Sequence, residues 1–311
     1  MPSEKIYFTG FLTNADASIL KVNLNHGFKI EAISQEECLT LISDLDGVDG
    51  LQTIKTLFSD FSCLNFNENK LYVVNNSFEP GVKRESEGLL GKIPEFDNKF
   101  ILGYLNSVIR LMRLFKEGDL RMPVKYYYRI ENNKPIGRMR FMSSRYVTIE
   151  PYHLESSELP DLHRFIEDTK LPFEKPFLQL AFENFELSYE THNISLSFLA
   201  LIVSLETLLN PGKHEVRYRI SRNAAVLLGK NREDSKKIFS EVRESYDKRS
   251  VIVHTGKSDI IKKEDLSKLR YYVRESMKKL YKMDKDKDEI LDMLNLYGFG
   301  ECGGRNPIQN S

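Results

Sequence analysis

Residues 194–210 read ISLSFLALIVSLETLLN, and Glu206 is the only charged side chain among them. A helix of this composition is apolar almost all the way round, which places it at the centre of a bundle rather than on a surface. The segments on either side agree. After Pro160 the spacing predicts helices over 160–169, 174–190, 215–229, 232–248 and 262–282, with a weaker one over 286–296. Residues 174–282 therefore read as an α-helical bundle.

Towards the N-terminus the texture changes. IYFTGFL, LKVNLNHGFKIEAI, KLYVVNN and VKYYYRI are rich in aromatic and β-branched residues and are punctuated by Gly, Asn and Asp, the pattern of strands. YYYRI, ENNKPIG and RMRFM in succession predict a hairpin. SQEECLTLISDLD opens with Ser34 and has Glu37 three residues on, a capping-box signature for a short helix. Phe100, Leu102, Leu105, Val108, Ile109 and Met112 recur at helical spacing across 97–117, before Gly118. The fold class is α+β: an α+β N-terminal domain over 1–155, an all-α domain over 156–297 and a flexible tail over 298–311.

The chain has 311 residues, 41% of them apolar, enough to bury a sizeable core. The opening MPSEKIYFTGFL has no basic segment followed by a long apolar run, and no uncharged apolar window reaches 18 residues. Neither export nor a membrane span is expected. Cys38, Cys63 and Cys302 are odd in number and far apart, which argues against a disulfide framework or a zinc cluster and for a reducing cytoplasm. The zero net charge is uneven: residues 211–282 hold 20 Lys and Arg against 10 Asp and Glu. A segment carrying +10 attracts polyanions, although a solvated helical surface has the same composition.

Gly298, Gly300 and Gly303 form a G-x-G-x-x-G, but dinucleotide binding needs a strand before those glycines and a helix after them, and only eight residues follow. There is no G-K-[ST] loop and no H-E-x-x-H, and no two histidines share a helical turn, so neither a metal nor a cofactor is expected. What remains is YDKRSVIVHTG over 246–256. Positions five apart lie about 140° apart on a straight helix, so Arg249 and His254 converge only if the helix breaks between them. The β-branched Val251, Ile252 and Val253, followed by Gly256, suggest a junction between a helix ending near Lys248 and one starting near Lys262.

Arginine is a permanent, fork-shaped cation suited to phosphate, and histidine exchanges a proton near neutrality. Together they suit RNA cleavage: His removes a ribose 2′-hydroxyl proton, the oxygen attacks the adjacent phosphorus, and a 2′,3′-cyclic phosphate and a 5′-hydroxyl result. One histidine cannot act as base and leaving-group acid at once, so a two-fold dimer pooling two pairs would complete the site. A structural alternative stays open, in which Arg249 bonds helix-end carbonyls or Glu206 and His254 caps the junction. Arg217, Arg219 and Arg222 are candidates for a surface that tracks phosphates.

SFLALIVSLETLLNP, EVRYRISRNAAVLLG and IFSEVRESYDKRSVIVHTGK, in that order, resemble the HEPN superfamily, in particular the Apea-like HEPN domain of bacterial proteins. The resemblance covers about residues 174–282. It rests on Leu205–Glu206, on R-x-x-A-x-L-L at 222–228 and on the R-x4-6-H motif as Arg249 to His254. It implies a helical bundle that dimerises and a metal-independent endoribonuclease, a toxin or antiviral defence effector, with Arg249 and His254 catalytic. It further implies a phosphate-placing residue after the arginine, here Ser250, with Lys248 and Arg222 as further substrate contacts. Glu206 would support the site by holding Arg249, or would pair with Arg222. The N-terminal domain would sense a trigger ligand or protein, gate the nuclease or bind RNA. The competing expectation is a non-catalytic module for dimerisation, RNA binding or partner docking.

Overall fold

The computed structural model describes residues 5–42, 70–78, 85–88, 91–94, 98–141, 151–191, 193–210, 212 and 214–298. The tail expected over 298–311 lies outside them apart from Gly298. The chain divides into two compact units, Met1–Thr169 and Lys170–Ser311.

The first unit is built on a five-stranded antiparallel sheet of β1 (Ile6–Thr13), β2 (Lys29–Ser34), β3 (Lys70–Phe78), β6 (Arg121–Glu131) and β7 (Lys134–Phe141), ordered β2-β3-β1-β6-β7. A separate two-stranded ribbon joins β4 (Glu85–Gly88) to β5 (Gly91–Pro94). The central strand β1 is buried at every residue except the half-buried Tyr7. Its Gly10 is needed there, since a Cβ would sit 2.2 Å from the Met122 sulfur. Helix α1 (Gln35–Ile42) starts with the expected capping box: Glu37 N–H donates to Ser34 Oγ (3.1 Å) and Ser34 N–H to the Glu37 carboxylate (2.6 Å). Helix α2 (Asn98–Phe115) buries Leu105, Val108, Ile109 and Met112 in a core with Phe8, Leu12, Tyr72, Val74 and Met122.

Two strand expectations resolve differently. The β6–β7 hairpin turns through Asn132 (φ 49°) and Asn133 (φ 62°), the left-handed pair that matches strand twist. LKVNLNHGFKIEAI, by contrast, is a strand only from Lys29. Asp16 accepts from Ser18 N–H (2.9 Å) and starts a 3-10 turn over Ala17–Lys21, while His26 (φ 61°) and Gly27 (φ 79°) turn the chain before β2. Helix α3 (Leu159–Asp168) belongs to the first unit, where Leu162 joins the sheet's core.

The second unit is all helical: α4 (Pro176–Glu190), α5 (Ile194–Leu209), α6 (Val216–Leu228), α7 (Arg232–Thr255), α8 (Lys263–Lys282) and α9 (Lys287–Tyr297). The all-apolar helix α5 is central as expected, with Phe198, Leu201, Leu205, Leu208 and Leu209 fully buried. Each such side chain contributes about 1.5–3 kcal/mol relative to exposure. Asn193 caps the start of α5, and Ser204 Oγ donates to Ala181 O (2.7 Å), tying α5 to α4. Among the described residues no helix is long and apolar enough to cross a membrane.

The main departure from expectation is α7. It does not stop near Lys248 but continues unbroken to Thr255. Three β-branched residues cost only a few tenths of a kcal/mol each in a helix, too little to end one. Gly256 ends it instead, adopting φ 70° and donating its N–H to Ile252 O (3.0 Å).

Candidate functional site

Arg249 and His254 are thus on one continuous helix, about 7.5 Å apart along the axis and about 140° apart around it. The junction expected to aim both at a common cleft is absent, because the left-handed glycine lies beyond His254 rather than between the pair. Two ties fix this end of α7. Tyr246 Oη donates to Glu206 Oε1 (2.6 Å), and past the cap Ser195 Oγ donates to Ser258 O (3.0 Å). Glu206 and Ser195 are at opposite ends of α5, so residues 246–258 run antiparallel along that helix.

The Tyr246 ring is buried and its hydroxyl is pushed well above the usual phenol range, first by burial and then by the hydrogen bond and charge of Glu206. The positive charge of Arg249 acts in the opposite direction on the same hydroxyl, which places the guanidinium near the Tyr246–Glu206 pair. Arg249 is half-buried, and among the described residues its guanidinium has no hydrogen-bond or ion-pair partner. Glu206 bonds neither Arg249 nor Arg222; its partner is Tyr246. His254 is exposed on the last turn of α7 and likewise has no side-chain partner among the described residues. Ser250 is exposed between them.

The remaining expected contacts are engaged elsewhere. Lys248 Nζ bridges Asp265 (2.6 Å) and Glu244 (3.0 Å). Burial works against its charge, but these two carboxylates outweigh burial and hold its pKa above the ordinary lysine value. Arg222 donates to Asn295 Oδ1 (3.1 Å) and Asn295 O (3.0 Å) on α9. Arg217 pairs with Asp247, leaving Arg219 exposed.

Sequence reasoning missed a set of exposed apolar side chains on this unit. Leu196 and Val203 on α5, Leu180 and Leu187 on the adjoining α4, and Val253 on α7 are each 42–56% exposed. Each helix pair is seven residues apart and so lies on one helical face. On α5 the signal was hidden because the helix reads as apolar all round; only the bundle's geometry reveals that Leu196 and Val203 stay exposed.

No family model, curated protein or solved structure matches the chain.

Chemically, one copy of the chain offers a guanidinium and an imidazole, neither partnered among the described residues, that point about 140° apart, and on the same unit exposed apolar side chains of the kind that interfaces cover.

Proposed function

We propose that the chain is a metal-independent endoribonuclease of HEPN type that works as a homodimer. The observation that carries this reading is the state of the pair: the half-buried Arg249 and the exposed His254, both in the last two turns of α7, have no hydrogen-bond or ion-pair partner among the described residues. A half-buried guanidinium that no carboxylate of its own chain engages is able to take a phosphate bidentately. The exposed apolar side chains of α4, α5 and α7 are a suitable surface for a second copy. A two-fold axis there brings the Arg249 of one subunit towards the His254 of the other and overcomes the 140° separation.

In that dimer one His254 removes the proton of a ribose 2′-hydroxyl. The freed oxygen forms a bond to phosphorus, the bond from phosphorus to the 5′-oxygen breaks, and the second His254 protonates the leaving oxygen. Arg249 balances the charge that builds on the non-bridging oxygens. The products are a 2′,3′-cyclic phosphate and a 5′-hydroxyl. A toxin or antiviral role in the cytoplasm, with a trigger bound by the N-terminal unit, belongs to the same proposal.

The test is to incubate purified protein with mixed RNA and map the ends. Cyclic-phosphate ends that persist in EDTA and vanish in His254→Ala and Arg249→Ala, both folded, are expected. Cleavage that survives His254→Ala overturns the reading. One observation favours a second reading, a binding module without catalysis: Lys248 and Arg222 are engaged by other helices, so of the three cations expected to contact substrate only Arg249 is unpaired among the described residues. On that reading RNA is bound and recovered intact.

A further inference from the structure

The helical period of α7 puts more than His254 on its outer face. Arg232, Lys236, Phe239, Arg243, Ser250 and His254 follow one another at steps of three, four or seven residues, so they fall within about 60° of one another around the helix. The stripe is about 33 Å long. Phe239 is half-buried and the other five are exposed. Asp247, at the edge of this stripe, is neutralised by Arg217 from α6. Lys236 leans on Glu233 (3.4 Å), whereas Arg232 and Arg243 have no ion-pair partner among the described residues. Helix α6 adds the exposed Arg219 and Tyr218, and the Tyr218 ring, 52% exposed, packs edge-on against Phe239 with centroids 5.8 Å apart.

An exposed tyrosine held edge-on by Phe239, with Arg232 before and Arg243 after that ring on α7, is an arrangement that serves base stacking and phosphate pairing together. A protein partner would need apolar area here, and among the described residues the stripe offers only the half-exposed Tyr218 and the half-buried Phe239, while the cations are spaced along a line. The charge complementarity is with a polyanion that also has flat faces.

We propose that single-stranded RNA lies along this stripe, its bases stacking on Tyr218 and its phosphates meeting Arg219, Arg232 and Arg243, so that the strand is delivered to His254. This rests on the ribonuclease reading only in taking RNA as the substrate.

The experiment measures binding of 2′-O-methylated single-stranded RNA, which lacks the nucleophile, to the full-length protein by fluorescence anisotropy over a series of salt concentrations. Arg219→Glu with Arg243→Glu is expected to weaken binding about tenfold or more at ~0.15 M salt and to flatten the slope of log affinity against log salt by about 1.4. Tyr218→Ala is expected to weaken binding about tenfold and Tyr218→Phe to restore it. Unchanged affinity and slope in all of these folded variants overturns the proposal, as does complete restoration of binding by Tyr218→Leu. The two readings fail separately. If unmodified RNA is cut in a His254-dependent way at the same low-substrate rate by every stripe variant, the stripe is wrong and the nuclease stands. If binding depends on the stripe while no cyclic ends form, the stripe stands and cleavage falls.

Discussion

Tyr246→Phe removes one oxygen from the joint that holds α7 to α5. The lost contact is a 2.6 Å hydrogen bond to a carboxylate, and bonds of that kind contribute about 1.5–3 kcal/mol. The ring stays and its packing with it. Glu206 is half-buried, so water can replace part of what the hydroxyl supplied, and the lower end, about 1.5 kcal/mol, is the expected loss. For a helical unit of this size that is a fall of about 5 °C in the melting midpoint. Glu206→Gln keeps an acceptor and should cost less, about 0.7 kcal/mol. The double variant should fall short of the sum of the single effects, because the two groups share one bond. The pH dependence has a definite sign. A phenol held neutral by the fold above its unfolded value of about 10 adds stability that is complete below that pH and is lost as pH rises beyond it. Urea titrations at pH 7 and pH 10.5 should therefore show wild type losing more of its advantage over Tyr246→Phe at the higher pH. A midpoint for Tyr246→Phe within about 0.3 kcal/mol of wild type at pH 7 would refute the idea that this bond anchors the end of α7.

Gly256→Ala places a side chain at φ 70° with no atom within 4 Å of the new Cβ, so the cost is conformational only, about 1 kcal/mol, and amide exchange should quicken in the last turn of α7, around His254. Leu196→Glu with Val203→Glu should convert a dimer to a monomer in light scattering and abolish cleavage while leaving the melting midpoint of the diluted chain within about 1 °C, since both positions are exposed in one subunit. Asp265→Asn breaks the partly buried pair with Lys248 and should cost about 1 kcal/mol at pH 7 by urea titration. Because Lys248 and a backbone N–H hold the Asp265 carboxyl below its usual value, against the opposing effect of burial, this difference should fade as pH drops below about 4.

Much of the fold was legible because its elements are punctuated locally. The capping box at Ser34 and Glu37, the Asn132–Asn133 turn and the all-round apolar α5 each contain their own reason within a few residues, and each forms where that reason puts it. Where the sequence misled, two local signals competed. Leu20 to Phe28 has the composition of a strand, yet the Asp16 cap and two consecutive left-handed residues decide its path. At 248–256 the β-branched run suggested a break, but a weak propensity loses to a glycine able to accept the left-handed cap. The assignment of α3 to the first unit depends on which core Leu162 enters, and periodicity in a single helix says nothing about that.

The pair itself was legible as residue types, whereas its geometry was not, and the geometry changes what the chemistry requires. Had a junction bent Arg249 and His254 together, one chain could in principle have bound and cleaved a phosphodiester alone. On an unbroken helix their separation of about 140° is fixed by the backbone, and no rotamer removes it. A local unwinding between them would displace the segment beyond His254, which the bond from Ser195 to Ser258 O holds against α5. Either the two residues serve separate purposes, or a second copy supplies the missing half of each site. The exposed leucines and valines of α4, α5 and α7 distinguish these cases physically: a second copy covers them, and separate purposes leave them wet. Cleavage activity should therefore rise with the square of protein concentration below the dimer dissociation constant and linearly above it, and strict linearity through a concentration range in which the protein is monomeric would leave the pair without a shared reaction.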